Sequence, residues 1–344
     1  MTLGEILDQA IRLYRRNFVS FIGIIAIPYI PLTLIQTGLT YLSTSSLTDF
    51  QVNPSNPFLF PGTYWMGFLG LIVVGFLEFV FVNGVAGVAL TRAVADSYTG
   101  QAVDIIGSYT KIGSTWGKVM VAMILFALLS FAIGLGAIFI PCVGWFFGLG
   151  IFIFLSLVVG PLLAPILALE RQDVGASLRR AWDLSRSRFW WLLGFAFILY
   201  LFAQLLITGP TAIINLVLQY VFTSQGNLQA LLVWRTVIQV LVQMIGGLFY
   251  LPLQLSAMTV VYFDLRVRAE GLDLAMQAAA NAGAETNIVA LAETSPQPTP
   301  SLITGTEAGQ FILVSLATFA LYAILVGIIF AIILAIGSAF SGGF

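Results

Sequence analysis

One acidic residue stands inside a stretch that otherwise has the composition of a lipid-facing helix. Glu78 is the one charged residue between positions 50 and 91. An ionisable group at the centre of a bilayer costs about 2.5–3.5 kcal/mol on insertion scales, so Glu78 should face protein or water. Two interpretations follow. Glu78 relays ions or protons, or contacts a polar substrate; alternatively, it is a neutral carboxyl hydrogen-bonded between helices.

A second polar feature lies nearer the carboxyl end. Arg235, Gln239 and Gln243 are spaced by four residues and therefore share one face of a helix. At roughly 1.5 Å per residue, Gln243 lies about 16 Å and Glu78 about 20 Å from the same end of their helices, so contact between them is possible. The stripe could meet a polar substrate. Equally, the glutamines could bridge helices, and Arg235, which follows Trp234, could anchor an interface.

Four arginines form a basic cluster in the middle of the chain. A cluster of this kind at a membrane surface can hold anionic lipid head groups. The same charges also serve to fix the orientation of the flanking helices, which explains them nearly as well. The candidate lipid contacts are Arg179, Arg180, Arg186 and Arg188.

Several classes of chemistry lack the residues they need. The chain has no histidine and one cysteine, Cys142, which excludes histidine-based catalysis and an intramolecular disulfide. We find no phosphate-binding loop, dinucleotide fingerprint or metal-ligand spacing. A net charge of −1 gives no basic field for nucleic acid. We therefore predict no catalytic site, no cofactor and no metal, and a protein that is not an enzyme.

The elements that carry these residues are predicted to be transmembrane helices. The chain is 59% hydrophobic and only 8% charged, with a mean hydropathy of +1.01, which no soluble fold of this length matches. A membrane-spanning helix needs about 20 apolar residues. The uncharged stretches predict an all-α polytopic bundle with spans near 18–43, 65–91, two within 119–169 separated at Pro141–Gly144, 189–208, 236–263 and 310–338.

The basic residues lie on one side of these predicted spans. Thirteen of the fourteen fall in alternate connections, and Arg235 is the exception. Because basic loops stay in the cytoplasm, we expect a multi-pass protein of the inner (plasma) membrane with a cytoplasmic N-terminus.

An internal repeat subdivides the chain. Residues 3–18 and 174–189 match at an offset of 171, with the pairs Gly4/Gly175, Ala10/Ala181 and Phe18/Phe189 among the identities. Both segments predict an amphipathic interfacial helix that precedes a span, and 101–117 is a weaker third copy. We therefore predict a six-span core over 1–270 built of three helix-plus-hairpin units, about 1–100, 101–170 and 171–270. A flexible Ala/Thr/Pro linker over 271–309 and a C-terminal transmembrane helix over 310–344 follow.

Three segments carry a family resemblance: LGEILDQAIRLYRRNF at 3–18, ALERQDVGASLRRAWDLSRSRFWWLLG at 168–194 and VYFDLRVRAEGLDL at 261–274. Together they resemble the bacterial membrane domain named after glycerophosphoryl diester phosphodiesterase, over about 1–275. The resemblance implies a multi-pass membrane module. It implies no activity for this chain, because hydrolysis in that family belongs to a separate soluble barrel with histidines.

These observations leave three hypotheses for the function. The first is a non-enzymatic membrane module that binds membrane lipids or a partner membrane or envelope protein. The second is a transporter or channel component that uses Glu78 and the polar stripe. The third is an accessory membrane domain for a separate phosphodiesterase.

Overall fold

The computed structural model describes residues 2–52, 62–98, 100–170, 172–223, 228–271 and 303–341. Helices account for 93% of these residues, and the same ranges contain no strand. The α-helices are α1 Leu3–Arg16, α2 Phe18–Val52, α3 Gly62–Glu78, α4 Gly87–Tyr98, α5 Ile105–Thr110, α6 Trp116–Phe139, α7 Leu149–Phe154, α8 Gly160–Leu169, α9 Val174–Ser187, α10 Phe189–Ala203, α11 Gly209–Thr223, α12 Leu228–Glu270 and α13 Gly305–Ser341.

Seven helical runs within the described ranges are long and apolar enough to cross a bilayer. They are Phe18–Thr44, Gly62–Tyr98, Trp116–Phe139, Gly144–Leu169, Phe189–Val221, Trp234–Glu270 and Gly305–Ile328. The predicted fold class is therefore confirmed: this is an all-α, multi-pass membrane protein. Most of the predicted linker, residues 272–302, lies outside the described residues.

The predicted end of the fifth span near residue 208 is wrong. Helix continues from Phe189 through a π-helical segment, Gln204–Thr208, into α11 and on to Thr223. Pro210 lies in the first turn of α11. The wider π turn just before it accommodates a residue that lacks an N–H, so the helix is not broken.

The chain forms two compact units, of which the first comprises residues 1–127 and 158–298. At its centre α4, α8 and α12 pack against one another. Gly87 of α4 permits the close approach, because a Cβ there would lie 3.2 Å from the Cβ of Ala164 and 3.6 Å from Cδ2 of Leu255. Nearly every residue of α4 and α8 is buried. Protein surrounds most of both helices, and α8 is accordingly apolar on all sides.

The two repeated amphipathic helices have matching bounds. α1 and α9 each contain 14 residues and begin and end at positions 171 apart. Their buried faces correspond as well, with Ile6 and Ala10 equivalent to Ser177 and Ala181. Thr2 forms a capping box with Glu5, whereas Asp173 occupies the N-cap position without a side-chain cap bond.

The third copy is shorter than predicted. α5 contains only six residues, followed by a 3₁₀ turn over Gly113–Thr115. Gly113 has φ +53°, which ends the helix well before residue 117.

The three short helices pack in a cyclic order within the first unit. α5 packs against α4, α9 against α8, and α1 against α12. α5 and α9 thus each contact the last span of the preceding predicted unit. α1 contacts the last span of the third unit, which completes the cyclic order. We call the end of the spans next to α1, α5 and α9 the basic end.

The second compact unit comprises residues 128–157 and 299–344. Here α13 packs against α7 and the π-helical segment Gly144–Gly148 that precedes it. Phe311 meets Phe147 and Phe154 edge to face, with ring centroids 5.9 and 5.7 Å apart. Gly150 allows the backbones to touch, since a Cβ there would overlap the carbonyl of Phe311.

Candidate functional site

The predicted polar stripe lines a groove in the first unit. Arg235, Gln239 and Gln243 of α12 face α2 across a cavity of about 390 Å³. This volume is within the range of small-ligand pockets. The remaining lining residues are mostly hydroxyl- or amide-bearing: Thr33, Gln36, Thr37, Thr40, Thr44, Thr236 and Val240.

The opposite wall is a threonine face of α2. Its threonines recur every three or four residues, which places them on one side of the helix. Each hydroxyl donates to the carbonyl four residues earlier: Thr33 to Tyr29 at 2.8 Å, Thr37 to Thr33 at 2.7 Å, Thr40 to Gln36 at 2.8 Å and Thr44 to Thr40 at 2.8 Å. The hydroxyl protons are thus engaged by the backbone, and the oxygens keep lone pairs that can accept a hydrogen bond from a ligand.

Arg235 is the cation of the groove. It is exposed, and within the part of the chain that the structure describes no carboxylate pairs with it. It precedes Phe249 by 14 residues along α12, roughly 21 Å, and Phe249 packs near Phe18 at the basic end. The groove therefore lies in the half of the spans farther from the basic end.

Tyr29 closes the groove toward the basic end. Its hydroxyl donates to the backbone carbonyl of Gln243 at 3.1 Å. Gly247 makes this approach possible, because a Cβ there would overlap the Tyr29 side chain. The contact sets the spacing of α2 and α12 where the groove ends.

Glu78 is not among the residues that line the groove. It is half-buried at the end of α3, where the π-helical segment Phe79–Ala86 begins. It does lie within electrostatic range of the Tyr29 phenol. Glu78 and the stripe therefore share no wall of the groove, although Tyr29, which bonds to Gln243 of the stripe, lies within electrostatic range of Glu78.

The four arginines of the basic cluster all meet carboxylates of the protein. Asp183 pairs with Arg179 and with Arg186, both at 3.2 Å. Arg188 lies 3.5 Å from Asp264, and its guanidinium also stacks over Trp191. Arg180 pairs with two glutamates in a buried network. The role of these arginines as lipid contacts stays a prediction, but each already has a partner within the chain.

The buried network joins α8, α9 and α12 at the basic end. Glu170 accepts hydrogen bonds from Tyr262 at 2.8 Å, Arg266 at 2.7 Å and Arg180 at 3.2 Å. Glu270 pairs with Arg180 and, at 2.5 Å, with Arg266. Glu170 and the Arg266 side chain are 0% and 2% exposed, which is tolerable only because each charge is met by an opposite one.

Sequence reasoning missed this network. One signal was present, because Tyr262, Arg266 and Glu270 recur every four residues. Glu170 lies 96 positions from Arg266, so only the packing of α8 on α12 brings them together. Among the described residues no cluster of three potential metal ligands occurs.

Searches with family models, among curated proteins and among solved structures found no match to this chain.

Proposed function

We propose that this protein is a non-enzymatic membrane module that binds an anionic, hydroxyl-bearing amphiphile in the groove between α2 and α12. The observation that carries the proposal is a cavity of about 390 Å³ within the spans in which nine of the ten lining residues have polar side chains. A polar wall in a lipid environment is costly unless it meets a polar partner.

The chemistry of the two walls selects the ligand. Arg235 supplies a charge-assisted donor for a phosphate or carboxylate. The threonine oxygens of α2 accept hydrogen bonds, so they complement hydroxyl groups next to that anion. Gln239 and Gln243 can donate or accept. An anionic head group with free hydroxyls, such as that of phosphatidylglycerol, satisfies all three features, whereas a choline head group offers no hydrogen-bond donor.

The orientation follows from the charge distribution. If the basic end faces the cytoplasm of a bacterial plasma membrane, the groove lies in the outer half of the bilayer. The resemblance to the glycerophosphoryl diester phosphodiesterase membrane domain agrees with a membrane module of this kind. As an accessory domain, it would present a lipid to a separate phosphodiesterase or another envelope protein.

Transport is the second candidate, and the placement of Glu78 favours it. A carboxyl group within electrostatic range of Tyr29, at the start of a π-helical segment, could exchange a proton as the groove fills. Flux of glycerol phosphate into liposomes containing the protein, reduced by Glu78→Gln, would support this function. Absence of flux, or flux that survives both Glu78→Gln and Gln243→Leu, removes it.

Binding tests the first candidate directly. The purified full chain in neutral detergent is mixed with short-chain phosphatidylglycerol or phosphatidylcholine, and bound lipid is counted by native mass spectrometry. We expect phosphatidylglycerol to bind preferentially and Arg235→Gln to weaken it about tenfold. Arg268→Gln, which removes an arginine that is 48% exposed and outside the groove, is the control. Equal binding by both variants would contradict the proposal.

A further inference from the structure

The helices α1 and α9 carry different charge patterns at equivalent positions. In α9, Asp183 lies between Arg179 and Arg186 and pairs with both. At the offset of 171, α1 has Asp8, Arg12 and Arg15 at these three places. Asp183, the acid at the centre of the α9 triplet, therefore corresponds to Arg12 in α1. No acidic residue lies between Arg12 and Arg15 to neutralise them.

The arginines of α1 are accordingly available. Arg12, Arg15 and Arg16 are exposed, and the described part of the chain shows no ion pair or hydrogen bond to any of their side chains. The two helices share their bounds but not their ion pairing: Asp183 pairs with two arginines in α9, whereas the arginines of α1 remain available to a ligand.

A pocket of about 440 Å³ lies beside these arginines, between α1 and the end of α4. Two hydrogen bonds hold its walls together: Gln9 Nε2 donates to the Tyr98 hydroxyl at 2.6 Å, and Asn17 Nδ2 donates to Ser97 Oγ at 2.6 Å. The charged lining residues are two cations and two anions: Arg12, Arg16, Glu5 and Asp8.

The equivalent place on α9 is filled. Arg180, the counterpart of Gln9, pairs there with Glu270 and with the buried Glu170. In α1 the neutral Gln9–Tyr98 bond replaces this ion pair and leaves a pocket. At this position α9 therefore forms ion pairs within the chain, whereas α1 leaves a pocket lined by charged side chains.

We propose that this pocket binds the zwitterionic phosphoethanolamine head group of a membrane phospholipid, with the phosphate at Arg12 and Arg16 and the ammonium at Asp8 and Glu5. The two cations and two anions give the lining no net charge, which suits a zwitterion. Their order fits as well. Arg16 is next to the start of the first span at Phe18, and Glu5 is far from it. A phospholipid presents its phosphate nearer the hydrocarbon than its amine.

A lipid fits better than a free phosphate compound because apolar side chains adjoin the pocket-lining arginines in sequence. Ile11, Phe18 and Val19 are 41%, 37% and 78% exposed. In a bilayer they offer acyl chains an apolar surface beside the head group. A primary ammonium can donate to Asp8, whereas a quaternary choline cannot.

The test compares head groups on the purified full chain in neutral detergent. Binding of short-chain phosphatidylethanolamine, phosphatidylcholine, phosphatidylglycerol and soluble phosphoethanolamine is measured by native mass spectrometry. In the Arg235→Gln chain, in which the α2/α12 groove is weakened, we expect phosphatidylethanolamine to bind best, and the added pair Arg12→Gln/Arg16→Gln to weaken its binding at least about tenfold. The matched control is Lys118→Gln/Arg268→Gln, which removes two exposed cations outside the pocket.

A second variant separates the two halves of the proposal. Asp8→Asn should abolish the preference for phosphatidylethanolamine over phosphatidylglycerol while phosphate-bearing lipids still bind. The proposal would be overturned if the control variant Lys118→Gln/Arg268→Gln lost as much binding as Arg12→Gln/Arg16→Gln, or if the latter kept its binding. It would also be overturned if soluble phosphoethanolamine bound as tightly as the lipid. Arg235→Gln should leave this binding intact, so failure here is distinguishable from failure of the α2/α12 groove.

Discussion

At the residue scale, the role of each arginine depends on which carboxylate it meets. Arg266 is enclosed by Glu170, Glu270 and Tyr262, whereas Arg268, two positions later, pairs with Asp264 while 48% exposed. Arg235 meets no carboxylate among the described residues and faces the groove instead. Arginine therefore stabilises the fold in the buried network, whereas Arg235 and the arginines of α1 meet no carboxylate among the described residues.

Removal of Arg266 should be far more costly than removal of Arg268. Arg266→Met removes one of the two cations that the buried Glu170 and Glu270 share, and we expect it to lower the free energy of unfolding by about 3–5 kcal/mol. Arg268→Met removes a half-exposed arginine and leaves Asp264 paired with Arg188, so it should cost about 0–1 kcal/mol. Unfolding of the purified protein in a denaturing-detergent titration measures both, and equal losses would show that the network does not stabilise the fold.

Gly247 should control the width of the groove. A side chain there overlaps Tyr29, so Gly247→Ala must displace Tyr29 or separate α2 from α12. We expect weaker phosphatidylglycerol binding and a lower free energy of unfolding. Gly194→Ala, where a Cβ meets nothing within 4 Å, is the control. Tyr29→Leu removes the obstructing ring, so the double variant Gly247→Ala/Tyr29→Leu should recover the lost stability. Failure to recover it would refute this contact.

At the element scale, the sequence predicts helices well and their neighbours poorly. Hydropathy located the seven spans because a bilayer demands about 20 apolar residues whatever lies beside them. The stripe on α12 was visible from its four-residue spacing. Its partner wall on α2 was not, because Thr33, Thr37 and Thr40 are uncharged and common in spans. Nothing local indicates that these threonines face Gln239 rather than lipid.

Gly150 should determine how closely α13 packs on α7. A Cβ at this position would overlap the backbone carbonyl of Phe311, which a rotamer change cannot relieve. We expect Gly150→Ala to reduce the hydrogen-exchange protection of amides in α13 around residue 311. Gly136→Ala in the same unit, where the nearest atom is 3.9 Å away, is the control. Unchanged protection in Gly150→Ala would contradict this close packing.

At the scale of the whole molecule, charge and repetition give the protein two different ends. The basic end carries the short helices and the buried ion network, and the groove lies in the other half of the spans. The offset of 171 predicted that α1 and α9 would share bounds, but not their charge pairing, which depends on contacts 90 or more residues apart, such as Arg180 with Glu270. The sequence therefore indicated the repeat and the spans, whereas contacts between residues far apart in the chain determine the ion network and the groove.

The orientation in the membrane can be tested with the one native cysteine. Cys142 is exposed in the turn between the third and fourth spans, and the charge distribution predicts that this turn lies outside the cytoplasm. We expect a membrane-impermeant maleimide to label it in right-side-out vesicles. A cysteine at Gln101, in a Cys142→Ser chain, should be labelled only after the vesicles are opened. The reverse pattern would invert the topology.

The most direct measurement of the central claim is photo-crosslinking from inside the groove in a bilayer. A photoreactive residue replaces Val240, which lines the groove, or Val237, an exposed position on α12 outside the lining set. The vesicles contain equal amounts of phosphatidylglycerol and phosphatidylcholine. We predict that position 240 captures mainly phosphatidylglycerol and loses that preference with Arg235→Gln, while position 237 captures both lipids equally. Equal capture at position 240 in the unaltered groove would contradict the proposed function.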